Sequence, residues 1–203
     1  MYLSEWLIGR DEALCHEIIN DYSLHQRVFD LFPNSNSRNF LYCSKQASGC
    51  DLKVQIQSFM PPLDPGYGEI RTKEIPKSFF SHQMYVFTVR FCPVVQSEKG
   101  VIPLKKEEEV VHWLLKRESF FGVCFHEDSL MKTGSGTLFM SQKGNPKKIR
   151  IDYVEMTGVF DVNDSDLFLT MIENGIGRSK GFGLGMFQLA CVFPHIFFYR
   201  IEK

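Results

Sequence analysis

The sequence has six cysteines but no Cys-x-x-Cys, and its one close pair, Cys43 and Cys50, lacks the second pair a zinc site needs. Thiols scattered this way read as small buried hydrophobes. No apolar run approaches the roughly eighteen residues of a membrane span, and the first residues lack a basic, secretory-type lead. No membrane contact is therefore expected, and a reducing cytoplasm is the expected address. An excess of either charge is missing too: 23 Lys and Arg against 24 Asp and Glu leave a net charge of −1, which argues against a uniformly basic nucleic-acid binder. There is no Gly-x-Ser-x-Gly elbow, no His-Glu-x-x-His and no tight carboxylate cluster for a two-metal centre. Neither a metal nor a small-molecule cofactor is expected. What is present, 44% apolar and 14% aromatic residues over 203 positions, suffices for one or two ordinary cores.

Periodicity predicts a strand over Tyr2–Gly9, then a broken helix. Asp11 opens its first part, Asn20-Asp21 interrupts it, and Ser23 caps a second part with Leu24, Val28 and Leu31 on one face. Strands are predicted at Asn39–Lys45, Leu52–Ser58, Gly68–Lys73 and, most strongly, Met84–Val95. The polar run Gln96–Gly100 reads as a linker. After it come an amphipathic helix at Glu107–Arg117, strands at Val123–His126, Gly136–Ser141 and Lys148–Val162, a helix capped by Asn163 or Asp164, and a last strand at Phe187–Phe193. Each half then follows a β-α-β-β plus α-β plan. The expected fold is α+β, two tandem ferredoxin-like (RRM-like) domains over residues 1–96 and 97–203.

Three features carry chemistry. Between Gly175 and Gly185 five of eleven residues are glycine, with Arg178 and Lys180 among them. Such a loop can bring backbone N–H groups against a phosphate, although a helix C-cap followed by an edge strand accounts for several glycines without any ligand. Its register is neither of the familiar nucleotide signatures. Second, Ser129–Ile151 contains no acid but carries Lys132, Lys143, Lys147, Lys148 and Arg150, and Asn174–Ile201 is also acid-free. The neutral total thus hides two basic segments, fit for phosphate or, for lysines on a hairpin alone, for protecting a sheet edge. Third, Tyr22 and His25 sit i, i+3 at the start of a helix. Histidine exchanges protons near neutrality, and a tyrosine hydroxyl can orient a phosphate oxygen. RNA supplies its own nucleophile, the 2′-OH, so one histidine and a few phosphate donors are enough for cleavage without a metal.

The Met1-Tyr-Leu-Ser start, Tyr22-Ser-Leu-His25-Gln-Arg with Asp30-Leu-Phe-Pro33, Val86-Phe-Thr-Val-Arg90 closing at Pro93, Val110-Val-His-Trp113-Leu and the Gly175–Met186 block occur in that order. Together they resemble the CasE family of CRISPR repeat-processing endoribonucleases of type I-E systems, in the RAMP superfamily. The resemblance implies a catalytic His25 with Tyr22 as its partner, a glycine block lying beside the RNA, and a CRISPR repeat hairpin cut at the base of its stem. It also implies 5′-hydroxyl and 2′,3′-cyclic phosphate ends, no metal, and association of the product with other Cascade subunits. The residues expected to hold RNA are Arg27, Lys143, Lys147, Lys148, Arg150, Gly177, Arg178, Lys180, Gly181 and Gly183. Where some relatives are basic just after the histidine and again five positions after it, this chain has Gln26 and Asp30. A non-catalytic RNA-binding scaffold of the same superfamily is the alternative reading, and a protein-interaction domain a third.

Overall fold

The computed structural model describes residues 1–33, 38–47, 51–98, 100–140 and 149–192. Strand β1 (Tyr2–Ile8) alternates as its sequence demands: Ser4, Trp6 and Ile8 are buried, Glu5 and Leu7 point the other way. It is followed by α1 (Arg10–Cys15) and α2 (Asp21–Asp30). The helix is broken as expected, but earlier than Asn20-Asp21: α1 already ends at Cys15, Glu17 has φ 55, and Asp21 belongs to α2. The cap, however, is Asn20 rather than Ser23. Asn20 Oδ1 accepts from the Ser23 amide at 2.9 Å while Ser23 Oγ accepts from the Asn20 amide at 3.1 Å, a reciprocal capping box.

β2 (Phe40–Gln46), β3 (Leu52–Ser58) and β4 (Glu69–Glu74) complete an antiparallel sheet ordered β2-β3-β1-β4. Leu24 and Val28 of α2 pack on it, against Trp6, Ile8, Val54, Ile56, Phe40 and Tyr42. The second helix expected of this half is absent. The segment between β3 and β4 contains Pro61, Pro62, Pro65, Gly66 and Gly68, which strip amide donors and favour turns, and it is held by Trp6 Nε1 donating to the Tyr67 carbonyl at 3.1 Å.

The second sheet uses β5 (Met84–Phe91), β8 (Val123–Phe125), β10 (Ile149–Val162) and β11 (Phe187–Cys191), ordered β11-β5-β10-β8. Between β5 and β8 lie the short strands β6 (Val94–Ser97) and β7 (Gly100–Pro103) and helices α3 (Glu107–Leu115) and α4 (Glu118–Phe121). β9 (Met131–Met140) pairs with the first part of β10, and α5 (Ser165–Asn174), capped by Asp164, leads toward β11. Counting β5, α3, β8, β10, α5 and β11 reproduces the β-α-β-β-α-β order of the ferredoxin-like fold, and both sheets have the same fourth-first-third-second arrangement. An aromatic core of Tyr85, Phe87, Phe91, Phe160 and Phe168 fills the second domain.

Two expectations need correction. Met84–Phe91 belongs to the second sheet, paired with β10 and β11, so the division lies in the Pro-containing stretch between β4 and β5 and not at 96/97. Gln96–Gly100 is no linker: Gln96 and Ser97 end β6 and Gly100 opens β7, with Gln96 paired to Val101 and Ser97 to Gly100. The domains join through Leu3, Leu41, Cys43 and Met186, through Gln57 Nε2 donating to the Ile172 carbonyl at 2.8 Å, and through Arg90, which donates to the Ser44 carbonyl at 3.1 Å and pairs with Glu155 at 3.2 Å.

Candidate active site

The glycine-rich stretch between α5 and β11 is pinned by its backbone. Ile176 N donates to Gly185 O at 3.0 Å, Arg178 N to Cys92 O at 3.1 Å and Gly185 N to Arg90 O at 2.6 Å. Gly175, Gly177, Gly183 and Gly185 all have positive φ. A methyl group on Gly177 would lie 2.8 Å from the Cys92 carbonyl oxygen, and one on Gly183 would lie 2.9 Å from the Tyr42 ring. Most of the glycine density is thus dictated by close approach to Cys92 just past β5, to β2 and between the loop's own backbone segments. Within this frame a short 3-10 turn, Lys180–Phe182, crosses to the first domain and meets α2.

His25 projects from α2 beside the buried Leu24, and its Nδ1 lies 2.5 Å from the Gly181 carbonyl oxygen. A carbonyl only accepts, so Nδ1 carries a proton, and in the neutral ring the lone pair is on Nε2. The imidazole is held between Phe29 and Phe182, with ring centroids 4.5 and 4.7 Å away, and the Tyr22 ring lies 6.2 Å off on the same helix face. His25 and Tyr22 are half-buried, which leaves this group partly open to solvent. A base with a fixed tautomer, an adjacent phenol and flanking aromatic faces suits proton transfer beside a nucleotide.

Around it stand groups that the sequence did not single out. Arg38 and Tyr42 each bury a polar atom, Nε and the hydroxyl respectively, with no hydrogen-bond partner. Burial, together with the charge of Asp21, pushes the Tyr42 phenol far above its usual range. Burial also raises the Asp21 carboxyl, against the pull of Arg90. Lys180 donates to the Gly175 carbonyl at 3.3 Å, and burial and then the nearby Arg38 charge lower its ammonium pKa. The one sequence signal for Arg38 is that Leu31–Cys50 is a third acid-free stretch.

Arg150 and Arg178 come together on a shallow groove with Ser179, Val94 and Pro103. Asp152 accepts from Arg150 at 3.1 Å and pairs with Lys105 at 2.6 Å; the Lys105, Thr137 and Arg150 hydrogen bonds hold its carboxyl well below the usual carboxylate range. A lowered pKa adds stability above the unfolded value near 4 and loses it as pH falls through the folded one. Asp152→Asn should therefore cost on the order of 1 kcal/mol at pH 7, with the melting-temperature gap to wild type closing as pH drops below about 4.

Arg27 is not brought to the site. It donates to the His16 carbonyl at 3.1 Å and to Asp30 at 3.3 Å, tying α2 to α1. Lys143, Lys147 and Lys148 lie outside the described residues. Of the glycines, Gly181 contributes its carbonyl, and Gly177 and Gly183 contribute close packing. Among the described residues no three His, Cys, Asp or Glu side chains converge as metal ligands would, and no helix is long and apolar enough to cross a membrane.

A family model described as CRISPR associated protein matches residues 1–191. The chain is 27% identical over 209 aligned positions to the CRISPR system Cascade subunit CasE of Escherichia coli (strain K12), covering 94% of this chain and 99% of that protein. Among solved structures, CRISPR endoribonuclease Cse3 bound to 19 nt RNA matches with a TM-score of 0.80 at 21% identity, over 94% of this chain and all 100% of that one. The CRISPR-associated protein Cas6e from Escherichia coli str. K-12 matches with a TM-score of 0.74 at 25% identity, over 95% and 100% of the two chains.

Proposed function

The chain belongs to the CRISPR-associated protein family, and from that membership we propose that it is a metal-independent endoribonuclease that binds the stem-loop of CRISPR repeat RNA and cuts precursor CRISPR RNA at the base of the stem. His25 Nε2 takes the proton of the 2′-OH. The 2′ oxygen attacks the adjacent phosphorus, the bond to the 5′ oxygen breaks, and that oxygen takes up a proton from water, so the products carry a 2′,3′-cyclic phosphate and a 5′-hydroxyl. Tyr22 positions or stabilises the scissile phosphate. Arg150 and Arg178, with Lys143, Lys147, Lys148 and Lys180, hold the stem through its phosphates, since an A-form helix is gripped by backbone and shape. The product stays with other Cascade subunits, and the work is cytoplasmic.

The observation that carries this reading is the contact between His25 Nδ1 and the Gly181 carbonyl, which makes one domain set the tautomer of a base on the other. The similarity to the Cascade subunit CasE and to an endoribonuclease bound to RNA supports it. Repeat RNA from the genome encoding this chain is expected to be cut in excess EDTA and spared when the nucleotide before the scissile bond is 2′-deoxy. Activity lost to EDTA would sink the metal-free mechanism; a deoxy substrate cut normally would sink the 2′-OH nucleophile. RNA bound but never cut would point instead to a scaffold.

A further inference from the structure

Arg38 enters β2 from a stretch without acids and is half-buried. Its Nε is shut away from water with no hydrogen-bond partner, an arrangement that costs free energy unless a ligand completes it. Burial alone accounts for the shift of its pKa, with no carboxylate offsetting that burial. A methyl group on Gly181 would lie 3.5 Å from His25 Cε1 and 3.8 Å from Arg38 Nη1, so imidazole and guanidinium flank one point beside the loop. Lys180 stands close enough for the Arg38 charge to lower its pKa. A half-buried guanidinium that shares one point with a histidine forms a place for an anion, and a guanidinium fork matches two oxygens of a phosphate better than an ammonium does.

We propose that Arg38 is a further catalytic residue, whose guanidinium donates to a non-bridging oxygen of the scissile phosphate next to His25 and stabilises the charge that builds there as the 2′ oxygen attacks. It exchanges no proton and stays cationic throughout. This rests on the nuclease reading above and deepens it.

The test compares wild type, Arg38→Ala and Arg38→Lys in single-turnover cleavage of the repeat hairpin, with a phosphate or an Rp or Sp phosphorothioate at the scissile position. Removing one such donor should slow Arg38→Ala by about 100-fold, with RNA affinity changed by less than about tenfold. Wild type should cut one sulfur diastereomer more slowly than the other, and Arg38→Ala should lose most of that discrimination. Arg38→Lys, which keeps the charge and guards against a misfolded alanine variant, should fall in between on both counts, with circular dichroism matching wild type. Wild-type-like rates in the variants, slow variants that keep full diastereomer discrimination, or a wild type indifferent to sulfur at both positions overturn the assignment and leave the nuclease reading standing. RNA left uncut by wild type overturns both.

Discussion

His25→Ala should slow cleavage of repeat RNA by about 1,000-fold or more, the upper part of the range for a positioned general base, while RNA affinity stays within about tenfold of wild type. The geometry suggests a sharper variant. An Asn side chain carries its amide nitrogen about where histidine carries Nδ1, so His25→Asn can still donate to the Gly181 carbonyl that lies 2.5 Å from the native ring. What it lacks is the second ring nitrogen. If His25 acts through Nε2, the alanine and asparagine variants fail alike in single-turnover cleavage, and the asparagine variant melts nearer to wild type. If the ring only braces the turn against α2, asparagine restores much of the activity. The flanking Phe29 and Phe182 rings bear on the same point. They fix the plane of the imidazole, so a smaller side chain that keeps the hydrogen bond loses the chemistry without releasing the loop.

Much of this site was legible in the chain because local spacing places Tyr22 and His25 on one helix face and composition exposes the glycine cluster. Arg27 shows the limit of such reading. It is two positions from His25, which on a helix turns it to another face, where it binds the His16 carbonyl and Asp30. Arg38 shows the converse: a lone arginine after an Asn/Ser run has no local signature, and only the fold brings it to Gly181. In the fold, alternation revealed β1 and β5, but nothing local told that β5 pairs with β10 and β11, far along the chain. Polar Gln96–Gly100 has the composition of either a linker or a hairpin turn, and the choice is made by the register of β6 on β7. The missing second helix of the first domain was written in Pro61, Pro62 and Pro65, which forbid it.

The glycine loop yields the other large effect, and it separates packing from chemistry within a few residues. Gly177 has φ +75, and a methyl group there would press to 2.8 Å from the Cys92 carbonyl oxygen and 3.2 Å from its amide nitrogen. A left-handed backbone costs an ordinary residue about 1–2 kcal/mol, and relieving a clash with backbone means shifting the loop off Cys92, the residue after β5, so Gly177→Ala should destabilise the protein by roughly 3 kcal/mol. Because the same loop carries the carbonyl that orients His25, cleavage should fall with it. Gly181 is different. Its φ is not positive, and the nearest atoms a methyl would meet belong to the His25 and Arg38 side chains at 3.5–3.9 Å, ordinary contact distances. Gly181→Ala should therefore melt within about 0.5 kcal/mol of wild type, as a substitution free of clash and strain does. Yet it fills the point between imidazole and guanidinium, where the scissile phosphate is proposed to sit, and single-turnover cleavage should drop by about tenfold or more. Thermal melts beside cleavage rates check both. A stable Gly177→Ala would show that the loop does not depend on its backbone contact with Cys92, and a fully active Gly181→Ala would place the phosphate elsewhere.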